Sequence, residues 1–137
     1  MTACALPTRL LLLCSLWLGA CSLAKPTAVP LPSPTPAIPQ AQFLFPTHNQ
    51  QVIEGLVFDI DVLARDTAQG IDRIELHVDG ELAQTIESET GALKEFRVTM
   101  NWFAKEIGWH KFAAVAYRPD GGKSNTAIIA LEVVPAP

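Results

Sequence analysis

After Gln42 apolar and polar residues alternate on a period of two, with turn-forming residues roughly every eight to twelve positions. No cysteine remains in that stretch to brace whatever it folds into. The pattern predicts a single all-β domain over residues 42–137, an immunoglobulin-like antiparallel β-sandwich of about seven strands that needs no helix and rests on hydrophobic burial alone.

Phe43, Phe45, Val52 and Ile53 form a first strand broken at Pro46, whose missing amide suits a sheet edge. In the next strand Leu56, Phe58, Ile60, Val62 and Ala64 point to one face, and Asp59 and Asp61 to the other. Ile74, Leu76 and Val78 alternate with Arg73, Glu75 and His77, and Asp79-Gly80 favours a type I′ turn back into Leu82–Glu87. Phe96, Val98, Met100 and Trp102 make a fifth strand ending near Asn101, and Phe103 to Gly108 has room for a single helical turn. The strand from Trp109 to Tyr117 carries Phe112, Ala114 and Ala116, small enough for close sheet packing, and Pro119-Asp120-Gly121-Gly122 turns the chain. The last strand, Thr126 to Val134, contains the apolar pairs Ile128-Ile129 and Val133-Val134, which predict partial cover on both faces.

This region resembles the bacterial immunoglobulin-like domains repeated in secreted and surface proteins. The resemblance rests on Phe45-Pro46 before Val52-Ile53-Glu54-Gly55, on Ala64-Arg65-Asp66 before Gly70-Ile71-Asp72-Arg73-Ile74-Glu75-Leu76-His77-Val78-Asp79-Gly80, and on Trp102 before Gly108-Trp109-His110 and Ala114-Val115-Ala116. It spans nearly all of Ala41 to Val134. Where such domains often end the Ala-x-Ala strand with x-Asp and a Gly-Asn turn, this chain has Arg118 and Gly122, so the resemblance carries over no ion or ligand function of that Asp.

Residues 1–20 read as a secretory signal, with Arg9 as the positive region and Leu10 to Leu18 as the apolar one. That run is about half of what crosses a bilayer. It ends in Leu18-Gly19-Ala20-Cys21, which resembles the bacterial lipobox; the resemblance implies cleavage between Ala20 and Cys21 and lipidation of Cys21. Cys4 and Cys14 would leave with the signal. The expected location is therefore extracytoplasmic, on a lipid anchor in the cell membrane or outer membrane, facing the periplasm or the surface. Ser22 resembles the residue that accompanies outer-membrane sorting. Residues 21–41 carry Pro26, Pro30, Pro32, Pro34, Pro36 and Pro39 without amphipathic period, a tether that extends about 3.1 Å per residue, or on the order of 60 Å at full stretch.

Little in the chain points to chemistry. A net charge of −4 removes the counterion-release drive for nucleic acid. His48, His77 and His110 lack metal-ligand spacing, and Ser22, Ser33, Ser88 and Ser124 lack a nucleophile turn, so no catalytic residue, metal or cofactor is expected. His110 reads as a residue hydrogen-bonded in its strand or against the core. Asp59 and Asp61, with Asp66 or Asp120, offer oxygen ligands for calcium in principle, but a straight strand does not wrap a cation. Glu75, Asp79, Arg73 and His77 make a charged face, solubilising or binding. Trp109 and Tyr117 project opposite Phe112, as an aromatic platform for a sugar ring or as cover for the inter-sheet edge. The expectation is a non-enzymatic envelope lipoprotein in structural or adhesive contact with a protein, with carbohydrate binding through Trp109 and Tyr117 as the alternative; its oligomeric state is left open.

Overall fold

The computed structural model describes residues 37–137, so the signal segment, Cys21 and all but the end of the 21–41 tether lie outside it. Eight strands follow in chain order: β1 (Gln40–Phe45), β2 (Gln50–Ile53), β3 (Val57–Arg65), β4 (Arg73–Val78), β5 (Glu81–Glu87), β6 (Glu95–Phe103), β7 (Gly108–Tyr117) and β8 (Ala127–Val134). They form a three-stranded sheet, β1-β3-β6, and a five-stranded sheet, β2-β8-β7-β4-β5, packed as an immunoglobulin-like sandwich. Among the described residues there is no helix.

The first strand divides as its proline dictates. β1 pairs antiparallel with β3, the chain crosses at Pro46, and β2 pairs parallel with β8 in the other sheet. One side of the sandwich is thereby closed by the crossing chain. β1 begins at Gln40, two residues inside the segment assigned to the tether, because Asn125 holds it there: its side chain accepts from Ala41 N at 2.8 Å and donates to Ala41 O at 3.1 Å.

β3 and β6 run in register from Val57↔Phe103 to Arg65↔Glu95. Their inner faces pair Phe96 with the small Ala64 and Met100 with Ile60, all buried. In the facing sheet Ile74 and Leu76 sit opposite Ala116 and Ala114, where the small side chains leave room for the larger ones. Fully buried Phe112 fills the centre, with Trp102 edge-on at 5.0 Å and Phe58 at 6.4 Å. On the wet side of β3, Asp59 accepts from Asn101, and Asp61 accepts from Thr99 and Arg97. The Thr99 hydroxyl and the Arg97 guanidinium hold the Asp61 carboxyl below its ordinary pKa.

Four local expectations change. Leu56 lies in the turn before β3 and is exposed. β6 continues to Phe103, and no helical turn follows, because Ala104 N donates to Leu56 O and Ala104 O accepts from Gly55 N; these cross-strand bonds use the groups a helical turn would need. A bulge at Leu76/His77 leaves Ala83 unpaired and sets Leu82 opposite His77 on the outer face, where it is exposed. Ile128 is likewise exposed, so β8 is covered on its inner face only at that position.

One end of the sandwich is tied by a buried ion pair. Arg118, just past β7, donates two parallel bonds to Asp66, just past β3, at 2.9 and 2.8 Å. The same carboxylate accepts from the amides of Ala68, Gln69 and Gly70. The Arg118 bonds lead in depressing the Asp66 pKa far below the usual carboxylate range, against the opposing effect of burial. Gly70 sits at φ +92°, and a Cβ there would come within 3.1 Å of the backbone of Ala92 and Leu93, so the turn favours glycine.

Asp66→Ala is expected to cost about 3 kcal/mol in urea unfolding, because it strands the guanidinium and three amides. Arg65→Ala, which breaks the exposed pair to Glu95, is expected to cost less than about 1 kcal/mol. A depressed folded pKa means stabilisation that is present above the unfolded value of 3.8 and lost as pH falls below it. The wild-type chain should therefore lose stability in acid more steeply than Asp66→Asn.

Candidate functional site

At the opposite end, the type I′ turn places Asp79 (φ 53°) and Gly80 (φ 93°) beside the start of β7. Asp79 N donates to Lys111 O, Lys111 N donates to Asp79 Oδ1, and His110 Nδ1 lies 2.7 Å from Asp79 Oδ2. His110 Nε2 lies 2.8 Å from the carbonyl oxygen of Glu106. Both neighbours are acceptors, an arrangement that favours the doubly protonated imidazole, in which both ring nitrogens donate. Burial opposes that charge, but the hydrogen bonds to Asp79 and Glu106 O and the two nearby carboxylates outweigh it and raise the pKa. For Asp79, burial is likewise outweighed by the Lys111 amide and His110, and its pKa falls.

A cleft of about 370 Å³ opens here between the two sheets, with Trp102 and His110 in its wall and Val78, Leu82, Lys105 and Glu106 around it. The tilted Trp102 ring lies 5.1 Å from His110. A charged, doubly donating imidazole keeps no lone pair for proton abstraction, so His110 here fastens the 104–107 loop to the β4–β5 turn.

The structure separates the two aromatics singled out from the sequence. Trp109 stands on the outer face of the five-stranded sheet, opposite Glu132 and 58% exposed. Tyr117 is on the same face but only 9% exposed: the Arg73 guanidinium covers its ring at 4.0 Å, and Lys123 lies 5.6 Å away. Burial, followed by the neighbouring Glu75 carboxylate, raises the Tyr117 pKa. Eight strand positions set the two rings about 26 Å apart. Tyr117 is therefore no open platform. Glu75 also takes Arg73 at 3.2 Å and His77 at 3.4 Å, which makes the charged face a self-satisfied network. Asp59, Asp61, Asp66 and Asp120 do not converge, and each is engaged by local donors.

Sequence reasoning missed the open side of the sandwich, where β5 and β6 are edge strands of different sheets. A second cleft of about 390 Å³ lies along it, lined by Ile86, Leu93, Phe96 and Val98 among others. Gln84 Oε1, also buried, has no hydrogen-bond partner among the described residues. Gln84 between Leu82 and Ile86 was the available signal, a polar residue where alternation expects an apolar one.

No protein-family model and no curated protein matches the chain. It is similar in fold to the fibronectin(III)-like modules of Clostridium thermocellum CbhA, at TM-score 0.59 and 22% identity over 72% of this chain and 48% of that one. The chain thus spans about half of that structure. It is also similar to the CARDB domain of PF1109 from Pyrococcus furiosus (0.53, 13%, 71% of this chain and 96% of that one). A third likeness is to the SrpA adhesin of Streptococcus sanguinis (0.53, 13%, 74% and 57%). At these identities the likeness is one of fold.

A raised His110 pKa means stabilisation fully present below the unfolded value of 6.5 and lost as pH rises through the folded one. Melting temperature is expected to decline over that alkaline range and amide exchange in 104–107 to quicken, with both effects absent in His110→Gln.

Proposed function

We propose that the protein is a lipid-anchored, extracytoplasmic lipoprotein without catalytic activity, which presents one immunoglobulin-like domain for structural or adhesive contact with an envelope protein. The order of apolar signal, Leu18-Gly19-Ala20-Cys21 and proline-rich tether supports the anchoring. The observation that carries the contact role is the placement of exposed apolar side chains. Leu56, Val57, Phe103 and Ile107 lie in or beside the β2–β3 and β6–β7 connections, and Trp109 stands at the start of β7 on the outer face of the other sheet, so all five are exposed at the same end of the domain. Residues 37–40 enter at the other end, beside Arg65. An apolar end of this kind marks a contact surface.

The exposed Trp109 indole favours a second reading, contact with a glycan, in which Tyr117 takes no part. Saturable quenching of tryptophan fluorescence by an envelope polysaccharide, lost in Trp109→Ala, would establish it.

Cys21→Ala is expected to abolish fatty-acid labelling and release the chain from the membrane fraction or leave it unprocessed; continued labelling refutes the anchor. Photocrosslinkers at Leu56 and Ile107 in the intact cell are expected to trap a defined envelope protein. Trapping of none refutes the adhesive role.

A further inference from the structure

The long free edge of β6 carries an inference that rests on the protein-contact reading and deepens it. We propose that this edge is an acceptor for an extended, basic-flanked segment of a partner protein, which adds as a fourth strand to the β1-β3-β6 sheet.

Among the described residues β6 pairs with β3 alone, and the chain runs from β5 to β6 with no strand laid beside it. Its nine residues keep an unbroken register and contain no proline, glycine or lysine. Edges are ordinarily blunted by such residues or by bulges. β5, the edge across the seam, is blunted by its bulge at Ala83, so β6 is the better template. The charges on β6 are spent locally, Glu95 on Arg65 and Arg97 on Asp61.

Both clefts of the seam open along β6, one at Trp102 and one at Phe96 and Val98. Val98 and Trp102 are four positions apart, about 13 Å, so side chains at i and i+4 of an added strand fall on one face and reach both clefts.

Charge selects the occupant. Asp79, Glu81 and Glu106 border the first cleft against Lys105 and His110, and Glu87 and Glu89 the second against Arg97, whose charge is already taken by Asp61, so acidic groups outnumber basic ones along the seam. A basic segment complements this rim, whereas a second copy would bring two acidic rims together. The chain's own tether lacks amide donors at its prolines and cannot complete a ladder.

The probe is a labelled synthetic peptide, Lys-Thr-Val-Thr-Ser-Thr-Val-Thr-Lys, titrated against the purified full chain at low salt. Saturable binding is expected, with slowed amide exchange confined to β6 and the facing part of β5. Glu81→Lys with Glu87→Lys, both exposed, should weaken it about tenfold, and a peptide with Glu in place of both Lys should recover the loss. A peptide with Pro in place of Ser should not bind. Absence of saturable binding, equal binding of the Pro peptide, protection on another strand, or self-association through β6 would each overturn the proposal. The photocrosslinking experiment reads the adhesive role separately: a partner trapped at Leu56 or Ile107 whose capture ignores Glu81→Lys with Glu87→Lys overturns the β6 site and leaves that role standing.

Discussion

The Asp66 carboxylate and the Arg118 guanidinium join the exits of β3 and β7, strands of different sheets, at the end where the chain enters the domain. No cysteine follows Cys21, so a covalent inter-sheet brace is unavailable. The pair also gathers the neighbouring backbone: three amides of the 68–70 turn point at Asp66, and Arg118 donates to Ala37 O. Removing Arg118 leaves the buried Asp66 carboxylate without its counter-charge, and removing Asp66 strands the guanidinium and three amides, so the contact is costly to break.

The two ends of the sandwich are built differently as a result. At the entry end, Asp66, Arg118, the Asn125 clamp on Ala41 and the Ile71↔Leu93 bridge consume the polar groups of the loops. At the other end the loops are shorter, and one buried histidine holds two of them through its ring nitrogens. Apolar side chains there are left in water, and the seam between β5 and β6 stays open. Rigidity and exposure are thus segregated within one small domain.

Much of the fold was legible in the residues because alternation reports directly which side of a strand faces the core. Ile60, Val62, Ile74, Leu76, Met100 and Phe112 all lie buried where their period places them, and Asp79-Gly80 turns as its positive-φ preference requires. The site was far less legible. Tyr117 has the parity of a surface residue, and only its pairing opposite Arg73, 44 positions earlier, covers it. Leu82 has the parity of a core residue, and one bulge moves it outward.

The sequence by itself determined the strand faces, the hairpin turn, the break at Pro46 and the absence of cysteine from the domain. Each is local, set by alternation, by backbone preference or by composition. Tertiary structure alone decided that Arg118 answers Asp66, that both ring nitrogens of His110 face acceptors, and that one seam is closed by the crossing chain while the other is open. These depend on which distant strands become neighbours and in what register, and a period of two carries no information about either.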